Sequence, residues 1–367
     1  MKLIIVAPPA FPVSRSTGSS VEISLYQIAK RLAKDQDVTI LSRKTKSLPK
    51  ISTNGKLRIV RFPPQSYVQN IIRYLKKSKF DILQVENRPQ FVPILRKHFP
   101  RARIILVLHS LTFMAQLSKQ AKRLVIQSAN AVICNSHFIR NYYRTLFSSM
   151  ASKFKTIHLG VDLTRFRPPS QGEKTRQQNQ YGLKISNYHL LFAGRIISGK
   201  GVHLLIQAAS ILRKTNHPIQ VVIIGRCRSS YCKFLQSLAK KLRVPVKFIG
   251  AVSPSLMHKA YWLGDCFVCP TQFREAFGLV NVEAMASGLP VVASRRGGII
   301  EIINQHNGIL VSDYRNSKAF AKAIEKLIQS TSLSKKLMKA GEATVKKRFS
   351  WVHTAAKYQQ FYLHGNV

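Results

Sequence analysis

The feature that most limits what this chain can fold into is an alternation that runs almost its whole length. Apolar runs of three to six residues are separated by stretches with a helical period. Over residues 1–165 the apolar runs are Leu3–Ala7, Val38–Leu41, Ile59–Phe62, Ile82–Val85, Ile104–His109, Ala131–Cys134 and Thr156–His158. Helical patterns stand between several of them, most clearly Val21–Ala33, Val68–Lys77 and Arg88–His98. Strands alternating with helices form βαβ units, and those give a mostly parallel sheet. In such sheets ligands bind beyond the C-terminal strand ends.

The alternation is interrupted once. The segment GVDLTRFRPPSQGEKTRQQNQYG is polar, contains Pro168 and Pro169, and has little periodicity, so it reads as a linker near residues 165–185. Beyond it the pattern resumes. Strand His189–Ala193 runs into GRIISGKG and a helix over Val202–Leu212. Strand Val221–Gly225, helix Tyr231–Leu242, strand Val246–Ile249, helix Pro254–Leu263 and strand Cys266–Cys269 follow. Strand Gly308–Val311 and three closing helices, Ser317–Gln329, Ser334–Lys346 and Trp351–Leu363, complete the chain. The reading is an α/β chain of two Rossmann-like domains, 1–168 and 169–348, with 349–367 as a terminal helix. A length of 367 residues is ample for two full cores.

Five cysteines at irregular spacing, with no secretory signal before them, read as reduced thiols of a cytoplasmic protein. Cys266 and Cys269 form a CxxC, but the run DCFVCP is apolar and strand-like, so buried thiols are favoured over metal or redox chemistry. The opening MKLIIVAPPAFP is too short an apolar stretch for a secretory signal and reads as a first buried strand. No apolar run reaches the ~18 residues of a membrane span.

The charge is unusual. Lys and Arg number 59 against 14 Asp and Glu, a net of +45. The excess is not a tail: residues 1–165 hold 29 of the basic and 6 of the acidic side chains. A polyanionic partner, a lipid surface, an anionic glycan or nucleic acid, is one reading, and a solvated basic surface that attracts polyanions only nonspecifically is the other. Specific nucleic-acid recognition is not favoured, because no interleaved aromatic platform or known module accompanies the charge. The segment QNIIRYLKKSKF, with Ile71, Ile72 and Leu75 beside Arg73, Lys76, Lys77 and Lys79, is the best local candidate for a membrane contact; an ordinary amphipathic core helix is its plainer reading.

Within this cation-rich chain, three of the eight acids after residue 165 fall in the 27 residues from Glu275 to Glu301. The text there is EAFGLVNVEAMASGLPVVASRRGGIIE. A helix is predicted from about Val280 to Ser287, with Gly288 and Pro290 stopping it. Glu275 then lies before the helix start, Phe277, Gly278 and Leu279 form the turn, and Glu283 lies about one turn inside. The free N–H groups at such a terminus suit an anion. In GRIISGKG, Arg195 and Lys200 flank a strand-to-helix loop whose composition suits a diphosphate. It is neither a Walker motif nor GxGxxG. His109 ends an apolar strand, where a parallel sheet presents functional groups; a packed core histidine is the competing reading. Gly18, with Ser19 and Ser20, opens the first helix after a Pro- and Ser-rich loop, and either an anion site or an ordinary helix cap fits that.

These motifs together resemble the retaining glycosyltransferases of family 4, which have the GT-B architecture. Glu275 and Glu283 form the family's E-x7-E pair. GLPVVAS, GG..E, the GR....KG loop and the GVD..RF linker follow the family order. The resemblance implies two Rossmann-like domains facing across a cleft, with the last helix, containing Trp351, crossing back to the first domain. It implies that Glu275 contacts hydroxyls of the donor sugar and Glu283 the ribose. Arg195 and Lys200 would hold the diphosphate and stabilise the leaving nucleotide. Backbone groups of Phe277, Gly278 and Leu279 would cradle sugar and phosphate, His109 would be the active-site histidine near the sugar, and Gly18 would belong to the glycine-rich first loop. The family usually shows Gly-Gly there, against Gly-Ser-Ser here. After Gly225 it often has an acidic residue and a glycine, against Arg226-Cys227-Arg228 here.

The implied activity is transfer of a sugar, with retention, from a UDP- or GDP-sugar to a glycan or lipid-linked acceptor. No cofactor or metal is implied, since no DxD stands near these residues. The segments VENRPQF and LHSLTF are also similar to glycosyltransferase-like proteins associated with bacterial spore coats. The expected setting is therefore cell-envelope, polysaccharide or spore-coat glycan synthesis, with the protein cytoplasmic or peripheral to the membrane or forming spore. A non-catalytic GT-B coat protein and a GT-B sugar epimerase are the alternatives.

Overall fold

The computed structural model describes residues 1–15, 18–227 and 230–365. The chain divides into two compact units. One comprises Met1–Gly160 with Trp351–Val367, the other Val161–Ser350.

The first unit is built on eight strands. They are β1 (Lys2–Val6), β2 (Asp37–Arg43), β3 (Ile51–Asn54), β4 (Leu57–Phe62), β5 (Ile82–Glu86), β6 (Arg103–Leu108), β7 (Ala131–Cys134) and β8 (Phe154–Thr156). Their order is β3-β4-β2-β1-β5-β6-β7-β8. Every pairing is parallel except β3 with β4. The central strands read as continuous apolar text because both faces are covered: Leu3, Ile5, Leu83, Val85, Ile105 and Val107 are all buried. The strand order reverses at β1, so the loops after β1, β5 and β6 open at one end of the sheet beside the switch point. The terminal helix Trp351–His364 packs on the first helix, Ser20–Leu32, within this unit.

The second unit holds six parallel strands, β9 (Tyr188–Ala193), β10 (Ile219–Ile224), β11 (Val246–Gly250), β12 (Cys266–Cys269), β13 (Val291–Ser294) and β14 (Ile309–Val311). Their order is β11-β10-β9-β12-β13-β14. The order reverses between β9 and β12, and there the loop bearing Arg195 and Lys200 meets the loop bearing Glu275. Helices Val202–Lys214 and Ser317–Gln329 pack side by side, and Leu205, Ala209, Phe320 and Ile324 among them are buried.

Three readings of the sequence change. The supposed linker contains a helix, Gln171–Gln180. Its N-terminus is closed by a capping box in which Ser170 N–H donates to Glu173 across 2.8 Å and Glu173 N–H donates to Ser170 Oγ across 3.2 Å. The helix has almost no apolar face, so periodicity misses it. Strand β3 was also not expected; Gly55 and Lys56 turn it back on β4, and its side chains are mostly exposed. Finally, Cys227 and Cys232 are joined, with Cα atoms 5.5 Å apart, which corrects the expectation of five reduced thiols. Cys227 follows β10 and Cys232 sits in the first turn of helix Ser230–Lys241, within bridging range. Cys134, Cys266 and Cys269 are free and buried. Burial pushes the Cys269 thiol up to about 11, which keeps it protonated and inert.

The basic segment around Tyr67–Lys76 follows its plainer reading. Ile71, Ile72 and Leu75 are buried in the core, so only the charges of Arg73, Lys76, Lys77 and Lys79 face outward. No helix among the described residues is long and apolar enough to cross a membrane.

Candidate active site

In the second unit, β9 delivers the chain into the loop Gly194–Gly201 and then into helix Val202–Lys214. This loop is clipped to the end of β12. Gln272 N–H donates to Gly199 O across 2.8 Å, and Thr271 Oγ1 donates to the same carbonyl across 3.3 Å. A Cβ on Gly201 would lie 1.9 Å from Pro270 O, so the two loops touch backbone to backbone. The contact brings Lys200 Nζ directly against Glu275 Oε1. Both side chains are largely enclosed, 14% and 12% exposed, and the ammonium group also lies 5.0 Å from the centre of the Phe273 ring. Arg195 is exposed, and no hydrogen bond or ion pair among the described residues holds its guanidinium group.

The segment carrying Glu275 is shaped by the Gly297-Gly298 pair. Gly298 N–H donates to Glu275 O across 2.8 Å. Gly297 has φ +59°, and a Cβ there would lie 2.2 Å from Glu275 O; one on Gly298 would lie 2.3 Å from Ala276 O. This pair therefore serves to seat the Glu275–Phe277 backbone. Phe277 turns its ring inward, 2% exposed and 5.7 Å from the Phe349 ring, which leaves only its backbone for a ligand. Gly278 precedes helix Leu279–Ala286 as its N-cap in the left-handed conformation, and Leu279 opens the helix half-buried.

Glu283 lies within that helix. Tyr261 donates its phenolic O–H to Glu283 Oε2 across 2.7 Å. Burial pushes the Glu283 carboxyl group up to about 7, while the Tyr261 hydrogen bond and the charge of Arg165 pull the other way. A carboxyl group poised there is acidic enough to ionise for a hydroxyl-rich ligand near neutral pH and neutral enough to tolerate an empty site.

In the first unit, His109 follows β6 and Gly18 precedes the first helix. Gly18 has φ +137°; Ser19 N–H and Oγ–H both donate to Glu22, at 2.9 and 2.5 Å. The start of that helix is thus occupied by the chain's own carboxylate. His109 is 9% exposed, and its Nε2 lies 2.7 Å from Glu86 Oε2.

The structure thus brings Lys200 together with Glu275 and places Phe277, Gly278, Leu279 and Glu283 on the adjoining helix start. Two participants escaped the sequence reading. Tyr261, the partner of Glu283, lay inside a segment read only as a helix. Glu86, the partner of His109, was visible as one of six acids in 165 residues, at the C-terminal end of a strand.

This arrangement of two parallel-sheet units recurs in known proteins. A Glycosyltransferase Family 4 description matches residues 21–165, and a Glycosyl transferases group 1 description matches residues 173–344. The chain is 31% identical to Spore coat protein SA of Bacillus subtilis (strain 168), over 99% of both chains. The chain belongs to the family 4 glycosyltransferases. This glycosyltransferase is also 24% identical to the lipopolysaccharide 1,2-N-acetylglucosaminetransferase of Salmonella typhimurium, over 98% of its own length and 97% of the relative's. Its fold is the GT-B fold: a solved structure of Anabaena Alr3699/HepE in complex with UDP and glucose superposes with a TM-score of 0.80 at 21% identity, over 99% of this chain and 100% of the other.

Proposed function

We propose that this glycosyltransferase moves a sugar from a nucleoside diphosphate sugar to an envelope or spore-coat glycan, with retention of configuration and without a metal ion. The carrying observation is the meeting of Lys200 with Glu275, beside the unpaired Arg195, at the switch point of the six-stranded sheet. The bond from an anomeric carbon to a diphosphate breaks through an oxocarbenium-like state while negative charge grows on the departing phosphate. Arg195, Lys200 and the N–H groups at the start of helix Val202–Lys214 would stabilise that charge, the task a divalent cation performs elsewhere. Glu275 would hold the sugar hydroxyls, Glu283 the ribose, and the backbone of Phe277 to Leu279 the sugar and phosphate. His109 would serve as the family's active-site histidine.

In this reading the carboxylates are anchors. Glu275 is already engaged by Lys200, which favours a positioning charge over a free nucleophile. The relatives named for a spore coat and for lipopolysaccharide support an anionic or envelope glycan as acceptor, a fit for a chain of net charge +45. The test is turnover of UDP-glucose, UDP-N-acetylglucosamine and GDP-mannose in the presence of EDTA, with the anomeric configuration of the product read by NMR. Turnover with an α-configured product from an α-linked donor supports the proposal. An inverted product, or turnover only after a divalent metal is restored, overturns it.

A further inference from the structure

Strands β5 and β6 are neighbours at the centre of the first sheet, in parallel register with Glu86 opposite Val107. Their C-terminal ends therefore place Glu86 and His109 side by side. Glu86 is buried at 1% exposure, and its two oxygens are both engaged. Oε2 lies 2.7 Å from His109 Nε2, and Oε1 accepts from Gln84 Nε2 at 2.5 Å. Gln84 is two residues before Glu86 and so on the same face of β5. Gln84 Oε1 in turn accepts the phenolic O–H of Tyr362, which is buried in the terminal helix. The His109 backbone is pinned as well: its N–H donates to Asn87 Oδ1 across 3.1 Å, and its carbonyl accepts from Asn135 Nδ2 across 3.3 Å.

Every donor in this chain points toward the carboxylate. With Nε2 of His109 as the donor, each carboxylate oxygen accepts one hydrogen bond, and the amide of Gln84, held by Tyr362, has one workable orientation. Nδ1 of His109 has no hydrogen-bond partner among the described residues and is left as the working nitrogen. Among the described residues no lysine or arginine lies within 4.0 Å of Glu86 to form an ion pair; the imidazole is the one group that does.

We infer that Glu86 is a positioning residue, which holds His109 in the Nε2–H tautomer and leaves Nδ1 as its working nitrogen, and that Gln84 and Tyr362 hold Glu86 in turn. This rests on the proposed role of His109. It also gives the terminal helix a part in the reaction, since Tyr362 ends the hydrogen-bonded arm. Partners of this kind that orient a working imidazole typically matter about 10- to 100-fold.

The experiment has two independent arms on the full chain. Long-range proton–nitrogen NMR spectra of protein labelled with 15N-histidine, assigned by subtraction with His109→Gln, report the tautomer without any ligand. The expected result is Nε2–H in the parent protein and a mixed tautomer pattern in Glu86→Leu. The second arm measures kcat and KM with UDP-glucose, UDP-N-acetylglucosamine and GDP-mannose. Glu86→Gln should lower kcat about 10- to 100-fold with donor KM within twofold, and Tyr362→Phe should lower kcat by a smaller factor with the fold intact by circular dichroism. The double variant Glu86→Gln/His109→Gln should be no slower than His109→Gln alone. An unchanged kcat in Glu86→Gln, losses that multiply in the double variant, or a mixed tautomer already present in the parent protein would each overturn the inference. If the parent protein turns over none of the three donors, the proposed function fails, and the spectra alone decide the tautomer.

Discussion

The Lys200 ammonium group rests directly against the Glu275 carboxylate, although the two residues are 75 positions apart in the chain. The pair exists because the loops after β9 and β12 are locked together backbone to backbone, not because either residue seeks the other. It neutralises Lys200 and Glu275 against each other before a ligand arrives and leaves Arg195, among the described residues, as the unpaired cation of the loop. A donor that brings a diphosphate to Lys200 and sugar hydroxyls to Glu275 satisfies both groups at once.

From that pairing, Lys200→Ala and Glu275→Ala should each lower turnover about 10²- to 10³-fold, the size of loss seen when one preorganised charge-stabilising group is removed. Each single variant also leaves a largely enclosed partner unpaired. The double variant Lys200→Met/Glu275→Leu should therefore lose less stability than the sum of the two single changes, by about 1–3 kcal/mol of coupling. Steady-state kinetics and chemical denaturation check both parts; strictly additive stability losses would count against the pair.

Nucleotide binding should depend on pH, with Glu283 proposed at the ribose. With its carboxyl group pushed up to about 7, it is ionised above that value and able to accept from both ribose hydroxyls. Below it, UDP affinity should fall by up to about tenfold per pH unit. Tyr261→Phe removes a hydrogen bond that favours the ionised form, so the midpoint should move to higher pH. Glu283→Gln supplies the background slope of the nucleotide itself. Calorimetric titrations between pH 5.5 and 8.5, a window of about 1.5 units on either side of the midpoint, read all three.

The same group has a stability signature. Its folded-state value lies above its ordinary value of 4.5, so its contribution to the ligand-free protein is fully present at lower pH and is lost as pH rises through about 7. The difference in melting temperature between the parent protein and Glu283→Gln should therefore shrink between about pH 4.5 and 7 and level off above that, with the parent relatively more stable at the acidic end. A difference that stays constant across this range would show that the carboxyl group is not perturbed.

Gly298→Ala should displace the Glu275–Phe277 backbone, because the added carbon has no room beside Ala276 O. The expected cost is about 1–3 kcal/mol, with turnover falling more than stability alone explains. Gly172→Ala is the control. It lies in the exposed helix Gln171–Gln180 with nothing within 4 Å of the new carbon, and should stabilise by up to about 1 kcal/mol.

The sequence makes plain whatever follows from local periodicity. The runs at Leu3, Ile82, Ile104, Leu190 and Val221 mark central strands because both faces are buried, and the switch-point loops follow from the strand order that such runs adopt. Strand β3 was hidden because it is a polar edge, although Asn54-Gly55 is a recognisable turn signal. Helix Gln171–Gln180 was hidden because its start is set by a capping box and not by an apolar stripe. The pairings Lys200 with Glu275, His109 with Glu86, and Glu283 with Tyr261 join residues from different strands or helices. They depend on tertiary register, which no window of sequence contains.

The most direct test of the account is calorimetric titration of the full chain with UDP, GDP and ADP in EDTA. The account predicts one site per chain for at least one of the three, with affinity at least tenfold weaker in both Arg195→Ala and Lys200→Ala, about 1.4 kcal/mol each. No binding of any of the three, or an affinity that neither substitution changes, would contradict it.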